Sequence, residues 1–183
     1  MEYIKAGAEQ TDRTLEIAFD FAKANDIDTV VVASTWGDTG VKAARLGRDR
    51  GISVIVVTHN VGFTDTGGLE LTAENRTKIL EAGGVIYTGT LVLRGLGSAL
   101  RRKFGGSEEE HTAAVLRLFG QGIKVCVETA AMVADAGLVS IEDIVCVGGT
   151  ARGADTAVLI RPAPSNKFFE TKVRHIVVKP QDF

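Results

Sequence analysis

Thr29-Val30-Val31-Val32-Ala33-Ser34-Thr35-Trp36-Gly37-Asp38-Thr39-Gly40 is the stretch whose reading decides the fold. A β-branched apolar run stops abruptly in hydroxyls and glycines, and a helical pattern follows from Val41 to Arg50. Such a continuous apolar run marks a strand covered on both faces, as in a parallel sheet. Small hydroxyl and glycine residues before a helix N-terminus let backbone N–H groups and Ser/Thr side chains surround an anion, with the helix dipole favouring negative charge. The same residue types also make a plain, well-capped βα turn. Trp36, the single tryptophan of the chain, sits in this loop, where it can stack on a ring or cover a pocket.

On the N-terminal side, Thr11 and Asp12 open a helix in which Leu15, Ala18, Phe19 and Ala22 recur at i, i+3, i+4 and i+7. On the C-terminal side, helix 41–50 ends at Gly51, and Ser53 to Val57 forms a second strand leading into Thr58-His59-Asn60. Residues 63–71 carry Gly67-Gly68 without periodicity and read as a surface loop. Thr72 caps a helix through Ala82, and a third strand, Val85-Ile86-Tyr87, runs into Thr88-Gly89-Thr90. Residues 91–104 suggest a short helix, with Arg101-Arg102-Lys103 as a solvated face. Ser107 with Glu110 forms a capping box for a helix over 108–119. A longer helix from Gln121 to Ala136 carries Ile123, Cys126, Val127, Ala130, Ala131 and Ala134 on one face. A fourth strand, 143–147, ends in Gly148-Gly149-Thr150-Ala151-Arg152-Gly153-Ala154-Asp155, and residues 156–160 and 175–178 read as terminal strands. This alternation implies a three-layer α/β/α fold with a mostly parallel sheet, order 3-2-1-4 in those four strands, plus an antiparallel edge.

At 183 residues the chain is expected to be one domain with a core that needs no metal or disulfide. Its 45% apolar and 24% charged residues are ordinary for a globular protein, and a net charge of −2 gives no electrostatic case for nucleic acid or an anionic membrane. The apolar runs fall short of a bilayer span, and Met1-Glu2-Tyr3-Ile4-Lys5 is no signal peptide, so a cytoplasmic address is expected. Cys126 and Cys146 sit between valines or next to them and read as reduced core residues. No metal-ligand spacing, catalytic triad order or clustered carboxylates stand out, and the Gly148-Gly149 pair is not a dinucleotide fingerprint.

Ligands of such sheets bind outside the carboxyl ends of the strands, where strand order reverses. Loops 34–40, 58–62, 88–90 and 148–155 all lie at that edge, and the first and fourth strands being neighbours sets loops 34–40 and 148–155 face to face. The first loop holds no cation, so Arg152 is the natural source of a bidentate guanidinium for a phosphate. Asp38 repels a bare phosphate but suits a ligand that also offers hydroxyls; an Asx turn is its local alternative. His59 either meets ligand as an acid/base or bonds backbone within its loop, while His111 and His175 look structural.

At these loops the sequence resembles the C-terminal α/β domain of pyruvate kinase. Thr29–Asn60 is similar to the part of that domain holding the effector-phosphate loop, and 143–147 with 174–178 to its closing strands. Lys103-Phe104-Gly105-Gly106, Phe119-Gly120-Gln121-Gly122 and Gly149 to Asp155 resemble the small free-standing prokaryotic and archaeal proteins of this class, so the likeness covers nearly the whole chain. It does not include the barrel in which pyruvate kinase performs phosphoryl transfer, and so implies no kinase activity. The effector loop of the full enzyme typically includes a lysine, whereas 34–40 has none, which counts against a sugar bisphosphate. The free-standing proteins are associated with flavin mononucleotide (FMN). The resemblance therefore implies FMN held by the hydroxyls of Ser34, Thr35 and Thr39 together with Arg152, by Asp38 on the ribityl chain and by Trp36 on the ring. The remaining expected contacts are Gly37, Gly40, Thr58, His59, Asn60, Thr88, Gly89, Thr90, Gly149, Thr150 and Ala151. A non-catalytic sugar-phosphate sensor and a structural oligomerisation domain stay open beside it, and a homo-oligomer is expected.

Overall fold

A computed structural model describes residues 1–64 and 67–183. Its elements are β1 (Glu2–Ile4), α1 (Thr11–Ala24), β2 (Thr29–Ala33), α2 (Asp38–Arg50), β3 (Ser53–Thr58), α3 (Ala73–Glu81), β4 (Val85–Thr88), α4 (Gly95–Phe104), α5 (Glu108–Arg117), α6 (Gln121–Asp135), β5 (Ile144–Gly148), β6 (Thr156–Arg161) and β7 (Lys172–Pro180), with short 3-10 turns at Ala8–Gln10 and Ser165–Glu170. The strands form one sheet in the order β1-β7-β6-β5-β2-β3-β4. The segment β4-β3-β2-β5 is the expected 3-2-1-4 order, all parallel. The antiparallel pairings lie beyond β5: β6 opposes both β5 and β7, and β7 in turn pairs parallel with β1.

Side-chain alternation sorts the valines into two cores. Val30, Val32, Val54, Val56, Val145 and Val147 pack with Leu15, Phe19, Ala44 and Ile79 of α1, α2 and α3. Val31, Ile55, Cys146, Val158 and Ile160 pack on the other face with Ile123, Cys126, Val127 and Ala130 of α6. The register Val30↔Val54, Val31↔Ile55 and Val31↔Cys146 keeps each set on one face, since a slip of one residue would exchange the faces. Both cysteines are buried and free, and burial raises both thiol pKa values, so neither is a thiolate at neutral pH.

Several local expectations change. The helix after β2 starts at Asp38, not Val41: Gly37, at φ 98°, is its left-handed N-cap, and the Val41 N–H already donates to the Gly37 carbonyl at 2.8 Å. Asp38, Thr39 and Gly40 therefore belong to its first turn. α6 is buried nearly all round, because α5 and the turn at Ser165–Glu170 cover the side away from the sheet. Only half of the capping box forms. Ser107 Oγ accepts from the Glu110 N–H at 3.2 Å, while the Glu110 carboxylate turns to Ser98 Oγ at 3.0 Å. The strand β1 is too short for a periodic signal. Within the expected surface loop 63–71, residues 65–66 lie outside the described residues; Glu70 of that loop is buried and accepts from Thr64 Oγ1 at 2.8 Å. Among the described residues no helix is long and apolar enough to cross a membrane.

Candidate functional site

The chain runs from β2 through β3 to β4 on one side and resumes with β5 on the other side of β2, so strand order reverses between β2 and β5. At that point a cavity of about 930 Å³ opens at the carboxyl ends of the strands, near the top of the range of about 300–1,000 Å³ usual for ligand sites.

One side of the cavity is loop 34–37 with the first turn of α2. Ser34 follows the end of β2, its N–H tied to the Val57 carbonyl at 2.9 Å and its Oγ accepting from the Gly40 N–H at 3.0 Å. The Trp36 carbonyl accepts from Asn75 Nδ2 at 3.0 Å, and the same amide reaches Asp38 Oδ1 at 3.1 Å. The N-terminus of α3 thus clamps the loop. No protein acceptor among the described residues meets the N–H groups of Asp38 and Thr39, which point from a helix N-terminus. Trp36 is exposed and lines the cavity.

Loop 148–155 faces this turn, as its place beside β2 requires. Buried Asp155 organises it, accepting from the N–H groups of Thr150 at 3.1 Å and Gly7 at 3.2 Å and from Thr156 Oγ1 at 2.8 Å. Thr11 Oγ1 accepts from the Ala154 N–H at 3.1 Å, tying the loop to α1. Thr150 Oγ1 is buried there with no hydrogen-bond partner among the described residues. Arg152 Nη2 donates to Asp38 Oδ2 at 3.1 Å, joining the two loops across the crevice. The partition of Arg152 to a phosphate and Asp38 to a polyol is thereby altered: the two engage each other, and a ligand must share or part them.

The floor is formed by the end of β3 and by α6. Thr58 Oγ1 lies 2.5 Å from Thr88 Oγ1, and Thr35 Oγ1 lies 3.4 Å from His59 Nδ1. His59 packs on Phe63 with ring centroids 3.7 Å apart, and the Arg94 guanidinium lies over the same Phe63 ring, 4.8 Å from its centroid. Burial, and after it the Arg94 charge, holds the His59 pKa below its ordinary value, so the ring is neutral at neutral pH. On α6, Lys124 and Glu128 form an ion pair with both side chains nearly inaccessible, and Glu128 Oε1 also accepts from the Leu93 N–H at 2.7 Å.

Of the residues expected from sequence, Ser34, Thr35, Trp36, Asp38, Thr39, Thr58 and His59 line the cavity, as do Gly149, Thr150, Ala151 and Arg152. Gly37 and Gly40 shape it from behind, for a Cβ would meet Asn75 Cβ at 2.6 Å and Val56 Cγ1 at 2.6 Å respectively. Asn60, Thr88, Gly89 and Thr90 do not line it. β4 is the edge strand, two strands from the point of reversal, and its loop reaches the site only through the Thr88–Thr58 contact. Arg101 and Arg102 are exposed, as a solvated face requires, and also line the cavity; Arg94, Arg117, Lys124 and Glu128 line it as well without having been expected from sequence. Lys124 and Glu128 carry a sequence signal of their own, a charged i, i+4 pair set into an apolar helix, a placement that requires mutual pairing.

No family model matches the chain. The crystal structure of O-ureido-L-serine synthase superposes with a TM-score of 0.35 at 20% identity, covering 72% of this chain and 40% of that one. A hydrogen sulfide-producing enzyme from Fusobacterium nucleatum gives 0.32 at 20% identity over 61% of this chain and 28% of that one. The chain spans well under half the length of either protein, and likenesses this distant carry no argument about its chemistry.

Proposed function

We propose that the chain binds a phosphorylated ligand, FMN, in the crevice at the reversal point, as the resemblance to the pyruvate kinase C-terminal domain class implies. One observation carries the reading: Ser34, Thr39, the unpaired N–H groups of the first turn of α2 and the Arg152 guanidinium converge on a single cavity. That donor set suits a phosphate. Exposed Trp36 and neutral His59 supply flat surfaces for a ring system, with Phe63 packed against His59, and Asp38 an acceptor for polyol hydroxyls. Bound flavin would bring a redox-active ring; the residues of this chain would hold its phosphate, cover its ring and limit water. A sugar phosphate would use the same phosphate donors but leave the exposed Trp36 ring uncovered, which is why FMN is preferred. The exposed apolar side chains Leu96 and Phe104 of α4, with Leu118 and Phe119 beyond α5, support a homo-oligomer.

The test is the visible absorption spectrum of the purified protein after addition of excess FMN and gel filtration. Retained flavin bands and quenched Trp36 fluorescence are expected, and Arg152→Ala should weaken FMN binding by about 1.5–3 kcal/mol, the range for a charged hydrogen bond. A colourless protein after filtration would overturn the flavin reading in favour of a sugar-phosphate sensor.

A further inference from the structure

The charges on the cavity wall exceed what one phosphate requires. Seven cations line it against three carboxylates, four positive charges in excess on a chain of net charge −2. Every carboxylate is engaged: Asp38 by Arg152, Glu128 by Lys124, and Glu110 by Arg101 at 3.7 Å. Lys42 of α2 is held by Asp12, outside the cavity. Three cations make no ion pair among the described residues: Arg94, Arg102 and Arg117. Arg94 is spread over Phe63, Arg117 donates through Nε to Gln121 Oε1 at 2.8 Å, and both keep guanidinium N–H groups free. All three stand before α4, on α4 and on α5, in the helix layer on the α6 side of the sheet, whereas the phosphate donors of the flavin reading belong to α2 and loop 148–155.

We propose that this α4–α5 wall is a second anion subsite, taking a small organic acid with two or more acidic groups alongside the flavin. The proposal rests on the flavin reading for the other half of the cavity. Guanidiniums that line one cavity with no carboxylate partner favour an anionic ligand there, and their planar forks match carboxylate and phosphate oxygens bidentately. Leu91 on the same cavity lining gives an organic skeleton an apolar contact that a bare inorganic ion cannot use. A volume of about 930 Å³ leaves room for a small acid beside a flavin.

The experiment is calorimetric titration of citrate into the full chain, saturated with FMN and without FMN, at low ionic strength. One citrate should bind per FMN-saturated chain with the flavin retained. The double variant Arg102→Gln/Arg117→Gln should weaken citrate at least about tenfold, as expected for lost charged hydrogen bonds, while still retaining flavin. These two residues are exposed, so an unchanged melting temperature establishes that the variant is folded. No citrate heat, equal citrate affinity in the double variant, or displacement of FMN by citrate would each overturn the second subsite. Citrate binding that depends on the two arginines in a protein that holds no FMN would sustain the subsite and reject the flavin reading alone.

Discussion

The two sides of the cavity are built on opposite principles. The α2 side is made of short side chains and backbone, each fixed by a neighbour: Ser34 by Gly40, the Trp36 carbonyl by Asn75, Gly37 by its left-handed conformation, Asp38 by Asn75 and Arg152. The α4–α5 side is made of long arginines whose heads reach the cavity from exposed positions, three of them steadied, Arg94 by Phe63, Arg101 by Glu110 and Arg117 by Gln121, and Arg102 by no ion pair among the described residues. A side preset in this way recognises one group at low entropic cost on binding, and a side of long side chains adapts to several. The buried Lys124–Glu128 pair on α6 is as rigid as the first side but lies in the other helix layer, which makes it the sharpest place to separate rigidity from location.

The largest effect is expected there. Glu128→Ala leaves the Lys124 ammonium buried without its counter-charge and the Leu93 N–H without its acceptor, and should cost about 3–5 kcal/mol in urea unfolding. The double change Lys124→Met/Glu128→Leu should recover most of that loss; a double variant as unstable as Glu128→Ala would show that the pair does more than neutralise itself. Next comes Gly37→Ala, which demands a left-handed φ of a residue with a side chain and drives its Cβ to 2.6 Å from Asn75 Cβ; a loss of about 2–3 kcal/mol is expected. A loss under about 0.5 kcal/mol would mean that the α2 side is no more rigid than the other. Ser34→Ala removes the acceptor of the buried Gly40 N–H and should cost about 1–2 kcal/mol in the same assay.

His59 gives a pH test. Its folded pKa lies below the ordinary 6.5, from burial first and then the Arg94 charge. The unfolded chain therefore binds the proton more readily, so the contribution of His59 is intact above pH 6.5 and is lost as pH falls from 6.5 through the folded value. Unfolding at about pH 7.5 and about pH 5.5 should show that His59→Gln loses less stability on acidification than the unaltered chain; equal losses would place His59 outside the linkage. The smallest effect is expected from Arg152→Ala without ligand. Its pair with Asp38 is largely exposed, at 75% and 55% of the side chains, so unfolding should shift by less than about 0.5 kcal/mol although FMN binding falls. A larger shift would make Arg152 part of the fold as well as of the site.

The contrast also explains which parts of the site could be seen in advance. The residues of the α2 side follow one strand directly, so Ser34, Thr35, Trp36 and Asp38 could be placed at the strand end by counting from Val30. Arg152 follows β5 in the same way. Loop 88–90 follows a strand in the same way yet lies outside the cavity lining, because lying at a strand end decides nothing about distance from the reversal point along the sheet. Arg101 and Arg102 are exposed, as expected, but a charged run on a helix looks the same in sequence whether it faces bulk water or the mouth of a cavity, so their place beside the site is not legible.

The sequence by itself determined the alternation of strands and helices, the four parallel strands with their two cores and the loops at their carboxyl ends, since these follow from local periodicity and from where β-branched runs stop. Only the tertiary structure decided that α2 begins at Asp38, that β1 completes the sheet beyond β7, that Asp38 and Arg152 meet, and that α4 and α5 turn unpaired arginines toward the cavity. Each of those depends on contacts between segments far apart in the chain, as the 114 residues between Asp38 and Arg152 illustrate, and pairings of that kind leave no periodic trace in the segments that make them.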